Sequence, residues 1–275
     1  MSRRRAGSGQ RVVLVAVFTA GFLIAALLSS PVQHSRLFSA VPRSTPLSAY
    51  TGTPLTKPPS ALNISHLVPL RDPAAVTRWA PVLRASVARS VPSPDGAPVG
   101  QVPARTPDGT TNIVVADRET DLNGAVWVRV GLAVLPNGAE GWVPRSSLGG
   151  WSFVDTRLVV DRARFTATLF RAGRMVFRAR VGIGAPGTPT PAGHFYVRDR
   201  LSGFASPVYG PLAFGTNARS PTLTDWPGGG VVGIHGTNQP DLIPGRVSHG
   251  CIRLTNAAIV KLGRLMPVGT PVTIE

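Results

Sequence analysis

Residues 246–254 read "RVSHGCIRL". They hold the single cysteine of a 275-residue chain, Cys251, with His249 two positions before it and Arg253 two after. A lone cysteine cannot form an internal disulfide. In an exported chain it is a buried small hydrophobe, an intermolecular link or a reactive group. Its neighbourhood favours reactivity. Upstream, "VVGIHG" ends an apolar run, Val231 to Ile234, on His235, sixteen residues before Cys251 across a Pro/Gly loop. A free thiol is mostly protonated at neutral pH, its ordinary pKa being about 8.5. An imidazole within reach can take that proton, which predicts a thiolate–imidazolium pair poised for acyl attack. His235 suits this role because a strand end fixes its position, and His249 is the rival. Gly250 between His249 and Cys251 signals close backbone approach, as an oxyanion site of main-chain N–H groups needs. Arg253 adds a positive charge that favours thiolate or holds a substrate carboxylate. Cys251, His249 and His235 also form a conceivable zinc set, yet no C-x-x-C or H-E-x-x-H pattern accompanies them, and neither metal nor cofactor is expected.

The start of the chain predicts export. Arg3 to Arg5 precede an uncharged apolar run, Val12 to Leu28, of 17 residues. That length exceeds a usual signal-peptide core of about 7–15 residues and meets the lower limit of roughly 17–25 for a membrane span. Residues 1–28 therefore read as a membrane anchor with its basic end inside, or as a signal segment if cleaved, and the protein is expected in the cell envelope. Residues 29–78 are rich in Pro, Ser and Thr without a persistent period, and read as a linker. The net charge of +16 is nearly all arginine, Lys57 and Lys261 being the only lysines. The basic residues are scattered, so no nucleic-acid partner is expected; acidic polymers or anionic lipid suit an exported chain better.

Residues 79–150 show short strand patterns with turns at Pro94-Asp95-Gly96 and Pro136-Asn137-Gly138, and alternation at Val126, Val128 and Val130. This predicts a small β-barrel. Residues 151–275 carry further strand candidates, a hairpin turn at Ala172-Gly173, a closing strand "PVTIE", and one convincing helix from Asn256 to Met266. In that helix Asn256 is expected as N-cap, with Ile259, Leu262 and Met266 on one face. The match of "GIGAPG", Gly182 to Gly187, to a dinucleotide-binding loop is rejected. Such a loop must open a helix, and Pro189 and Pro191 forbid one here. A rigid loop beside a sheet is expected instead.

The stretch "GIHGTNQPDLIPGRVSHGCIRLTN" resembles the signature of the L,D-transpeptidase family, the YkuD-type catalytic domain. "RVGIGAPGTPTPAGHFYV" and "YGPLAFG" are similar to further stretches of that family. The ending "WVRV…GWVPRSSL" resembles bacterial SH3-like domains. The first resemblance, over Thr156 to Glu275, implies a β-sandwich-like catalytic domain with one main helix, so the whole chain is expected to be mainly β, with a small SH3-like barrel first. It implies Cys251 as nucleophile, His235 as base and the Gly236 carbonyl as the group orienting the imidazole. It implies Ser248, His249 and Gly250 lining the nucleophile loop, N–H groups of Gly250 and Cys251 as oxyanion donors, and Arg253 and Asn256 supporting loop or substrate. The implied substrates are peptidoglycan stem peptides. Three readings follow: a transpeptidase making 3→3 cross-links through a cysteine thioester, an L,D-carboxypeptidase using water, and a non-catalytic wall-binding protein.

Overall fold

The computed structural model describes residues 68–69, 76–203, 206–223 and 230–275. The predicted anchor (1–28) and most of the predicted linker lie outside the described residues. The described part of the chain is mainly β, with one α-helix.

The first sheet is built from β1 (Val68–Pro69), β2 (Thr77–Pro81), β3 (Ser86–Arg89), β4 (Pro98–Val102), β5 (Ile113–Leu122), β6 (Ala125–Gly131), β7 (Glu140–Pro144) and β8 (Ser152–Val154). Its order is β4-β3-β7-β6-β5-β2-β8, with β1 on β5. The alternation in β6 does what its period requires: Val128 and Val130 are fully buried and pack with Ala80, Ala116 and Val143. The β5–β6 hairpin turns at Asn123-Gly124, both with positive φ, a two-residue turn that the Asn-Gly pair favours.

Two strand pairings cross the limits read from composition. Strand pairing begins inside the predicted linker, since Val68–Pro69 pairs with β5 and Thr77 opens β2. At the other limit, Ser152–Val154 pairs antiparallel with β2, so it belongs to the first sheet and not to the segment that follows. Backbone hydrogen bonding makes these pairings, and composition does not report it.

The second sheet contains β9 (Thr156–Asp161), β10 (Thr166–Arg171), β11 (Arg174–Arg180), β12 (Gly182–Gly184), β13 (Gly193–Ser202), β14 (Leu212–Arg219), β15 (Val231–His235), β16 (Gly245–Ser248), β17 (Ile252–Arg253) and β18 (Pro271–Ile274). Its order is β11-β10-β9-β18-β13-β14-β15-β17-β12-β16. The hairpin between β10 and β11 turns at Ala172-Gly173 with both residues at positive φ. Leu158 and Val160 of β9, Ala167 and Leu169 of β10, and Val272 and Ile274 of β18 share one core with Ile259, Leu262 and Met266. The segment "GIGAPG" opens with strand β12 and no helix follows it.

Helix α1 spans Asn256–Leu265. Its cap is Thr255, one residue before the one expected, and the Thr255 side chain accepts from Ala258 N–H. A threonine hydroxyl can cap as well as an asparagine amide, and Asn256 is engaged elsewhere. Gly263, an expensive residue in a helix interior, lets the helix lie on β14: a Cβ there would stand 2.2 Å from Leu212 Cδ2.

Candidate active site

The topology brings the distant His235 and Cys251 together. Strands β15 and β17 are parallel neighbours with Ile234 opposite Ile252. His235 ends β15, and Cys251 immediately precedes β17. Ile234 and Ile252 are fully buried and anchor both strand ends. Gly233 lies between the two functional groups. A Cβ built on it would be 3.8 Å from Cys251 Sγ and 3.9 Å from His235 Cδ2. Gly233 thus adjoins both the thiol and the imidazole, at distances a Cβ would meet as ordinary contacts.

Each group has a defined backbone partner. His235 Nδ1 is 2.5 Å from the Gly236 carbonyl oxygen. A carbonyl only accepts, so Nδ1 carries the proton and Nε2 is left with its lone pair. The same peptide unit is held from its other side: Thr237 N–H donates to Asn256 Oδ1 at 2.9 Å. Asn256, at the start of α1, thereby fixes the peptide that orients the imidazole. It fits there because both neighbours are glycines. A Cβ at Gly210 or Gly236 would come within 2.3 or 2.4 Å of Asn256 Oδ1. The Tyr209 ring meets the His235 ring edge-on, centroids 5.1 Å apart. Neither the Asn256 bond nor the Tyr209 contact is visible in local sequence, though "YGPLAFG" contains Tyr209.

The thiol accepts a hydrogen bond from Gly233 N–H at 3.4 Å and lies 4.0 Å from the Val231 carbonyl. Among the described residues no hydrogen bond joins Sγ directly to the imidazole. Burial raises the Cys251 pKa, against the lowering effects of Gly233 N–H and Arg253. Burial lowers His235 to about 4; the Gly236 carbonyl opposes this and the charge of Arg253 adds to it. Both shifts favour the neutral thiol and neutral imidazole, in place of the ion pair expected from the sequence. The reason is desolvation, which penalises each charge and which residue spacing does not disclose.

The nucleophile loop is braced from two sides. Ser248 Oγ donates to the Cys251 carbonyl at 2.5 Å and accepts from Gly250 N–H at 3.2 Å. The Gly250 N–H, expected to point at substrate, is thus engaged within the loop. Gly250 has φ +115° and only ordinary contacts around its Cβ position, so conformation and not close approach requires glycine there. From the other side, Ala185 N–H donates to the Ser248 carbonyl at 2.8 Å and Thr188 Oγ1 to the same oxygen at 3.2 Å. Thr190, 1% exposed, donates to the Gly250 carbonyl at 2.8 Å and accepts from Gly184 N–H at 2.9 Å. The "GTPTP" loop is therefore the cradle of the nucleophile loop, and Thr188 and Thr190 were missed as site residues by the sequence reading.

Tyr209, His235, Ser248, His249, Cys251 and Arg253 line one cleft, with Val208, Ser220, Leu223 and Gly230 to Val232 completing its walls. His249 is exposed at its edge. Arg253 sits opposite His235 in the β15–β17 register, and its Nε is buried with no protein hydrogen bond among the described residues. Among those residues no three His, Cys, Asp or Glu side chains group as metal ligands.

A thiol and a tautomer-fixed imidazole thus stand on adjoining strand ends of a mainly β segment. Residues 155–274 match the YkuD family model, described as the L,D-transpeptidase catalytic domain. A putative L,D-transpeptidase YkuD of Bacillus subtilis (strain 168) is 35% identical over 110 residues, 40% of this chain and 60% of that protein. Its namesake in Bacillus licheniformis is 32% identical over 118 residues, 43% of this chain and 64% of that protein. The chain thus spans less than two thirds of the length of these curated relatives. A crystal structure of an Enterococcus faecium L,D-transpeptidase variant is similar at 25% identity, over 44% of this chain and 50% of that one, with a TM-score of 0.35.

Proposed function

We propose that the protein is a peptidoglycan L,D-transpeptidase with Cys251 as nucleophile and His235 as general base and acid. The observation that carries this reading is the Gly236–Thr237 peptide. Its carbonyl holds His235 Nδ1–H and its N–H is held by Asn256, which leaves Nε2 free for proton transfer beside Cys251.

Because the resting pair is neutral, proton transfer accompanies attack. As Sγ bonds to the carbonyl carbon of stem-peptide residue three, its proton passes to His235 Nε2. Collapse of the tetrahedral adduct breaks the amide bond. The imidazolium returns that proton to the departing amine of the terminal D-alanine, and a thioester remains on Cys251. The side-chain amine of a neighbouring stem then attacks the thioester. It loses its proton to His235, and the thiol is regenerated as a 3→3 cross-link forms. Arg253, with its unsatisfied buried Nε, suits the carboxylate of the donor stem. His249 and Tyr209 border the substrate at the cleft edge.

The export reading completes the proposal. Arg3 to Arg5 and the apolar run to Leu28 would place the domain outside the cytoplasm, anchored in the membrane, with residues 79–150 as an SH3-like wall-facing module. Incubating the full chain with tetrapeptide-stem muropeptides tests the reaction. Mass spectrometry should find 3→3 dimers and a thioester adduct on Cys251, both lost in Cys251→Ala. Tripeptides accumulating without dimers would assign water as acceptor and make the protein an L,D-carboxypeptidase. Neither product nor adduct, with full complementation by Cys251→Ala, would leave a wall-binding role.

A further inference from the structure

A second cleft, of about 400 Å³, opens between the two sheets on surfaces remote in sequence from Cys251. Pro103, Pro107, Val114, Leu132 and Val134 contribute apolar walls, and Arg105, Arg198 and Arg219 are its charged lining residues. No carboxylate lines it among the described residues. Arg198, on β13, is only 4% exposed. Its Nε and Nη2 both donate to Asn112 Oδ1, at 3.1 and 2.9 Å, and that acceptor is neutral. A guanidinium has five N–H groups. Among the described residues Arg198 Nη1 makes no protein hydrogen bond, and Arg198 forms no ion pair.

Two carboxylates, Asp199 and Asp108, lie nearby. Asp199 accepts from Gly215 N–H at 2.8 Å and from Thr110 Oγ1 at 3.3 Å. Asp108 feels Arg198, yet its pKa is raised by burial and by Asp199. Arg219 lies close enough to Arg198 for that charge, after burial, to lower its own pKa. Among the described residues the lining of the cleft thus carries three arginines and no carboxylate beside its apolar walls. Arg198 makes its side-chain hydrogen bonds to a neutral acceptor, so an incoming anion would give it a direct charged partner. The Nη1–Nη2 edge of a guanidinium matches the two oxygens of a carboxylate. Apolar walls suit an organic body better than a fully hydrated inorganic anion.

We propose that this inter-sheet cleft binds a small organic carboxylate, its anionic group on Arg198 and its apolar part on Val114 and Leu132. Such an occupant would touch both sheets at once. Calorimetric titration of the full-length protein with N-acetylleucine tests it, against N-acetylleucine amide and inorganic phosphate, with Cys251 alkylated beforehand. The expected result is saturable binding of N-acetylleucine, weaker binding of phosphate and none of the amide. Arg198→Gln should weaken it about tenfold or more, and Arg105→Ala, at an exposed residue, to a smaller extent. Amide resonances of Asn112 and Leu132 should shift on titration, which keeps the test decisive if Arg198→Gln does not fold. The proposal is overturned by absent saturation, by equal binding of the neutral amide, or by shifts confined to Gly233 and Gly250.

Discussion

At Cys251 and His235 the governing quantity is desolvation. A buried imidazole lowered to about 4 stays neutral through the whole physiological range. The base is then competent wherever pH exceeds about 4, so the acid limb of kcat/KM should fall near pH 4. A limb near the ordinary histidine value of about 6.5 would contradict a neutral resting pair. The same shift has a stability consequence. Between pH 6.5 and 4 the unfolded chain binds a proton at His235 that the folded chain refuses. Stability from this group is thus complete above the unfolded value and declines as pH falls through that window, by about 3 kcal/mol in all. Chemical denaturation of wild type and His235→Gln at pH 7 and pH 4.5 checks it, with the variant expected to lose less.

At the scale of elements, the first turn of α1 divides two tasks between adjacent residues. Thr255 caps the helix and Asn256 holds the Gly236–Thr237 peptide. Thr255→Ala should lower stability by about 1 kcal/mol and leave turnover nearly intact. Asn256→Ala should cut kcat by about tenfold or more with KM little changed. Asn256→Asp keeps an acceptor for Thr237 N–H and should retain most of the rate. Equal losses in Asn256→Ala and Asn256→Asp would assign Asn256 to substrate contact and not to positioning. The helix itself was legible from its 3.6-residue period, because packing onto one core imposes that period. Its cap was misplaced by one residue, because threonine and asparagine are both good caps and only the peptide to be held distinguishes them.

Over the whole molecule, the two sheets are joined by a polar and apolar seam. Tyr196, with its phenol pushed up to about 12 by burial, donates to the Gly131 carbonyl at 2.9 Å. Asn217 Nδ2 donates to the Leu132 carbonyl, and Asn137 and Arg219 exchange bonds in both directions. Ile113, Val115 and Tyr196 form a shared apolar cluster against which Trp79 and Val268 pack. Residues 76–275 should therefore unfold as one cooperative unit. Scanning calorimetry is expected to show a single transition. Tyr196→Phe should lower its midpoint by about 2–4 °C, the equivalent of one hydrogen bond of about 1 kcal/mol. Two resolved transitions would show that the seam does not couple the sheets.

The sequence by itself determined the mainly β character, the turns at Ala172-Gly173 and Pro136-Asn137-Gly138, and the helix near the C-terminus, and it offered Cys251 with His235 or His249 as candidates. These are local or short-range signals, set by φ angles, side-chain period and the chemistry of a single thiol. Only the tertiary structure decided which backbone atoms face the thiol, that burial keeps both site groups neutral, and that Thr188 and Thr190 brace the nucleophile loop from some sixty residues upstream. It also placed Ser152–Val154 in the first sheet and gathered Arg198 and Arg219 around one cleft. Desolvation and hydrogen bonds between segments distant in sequence exist only once the chain has packed, and they have no period or motif from which to read them beforehand.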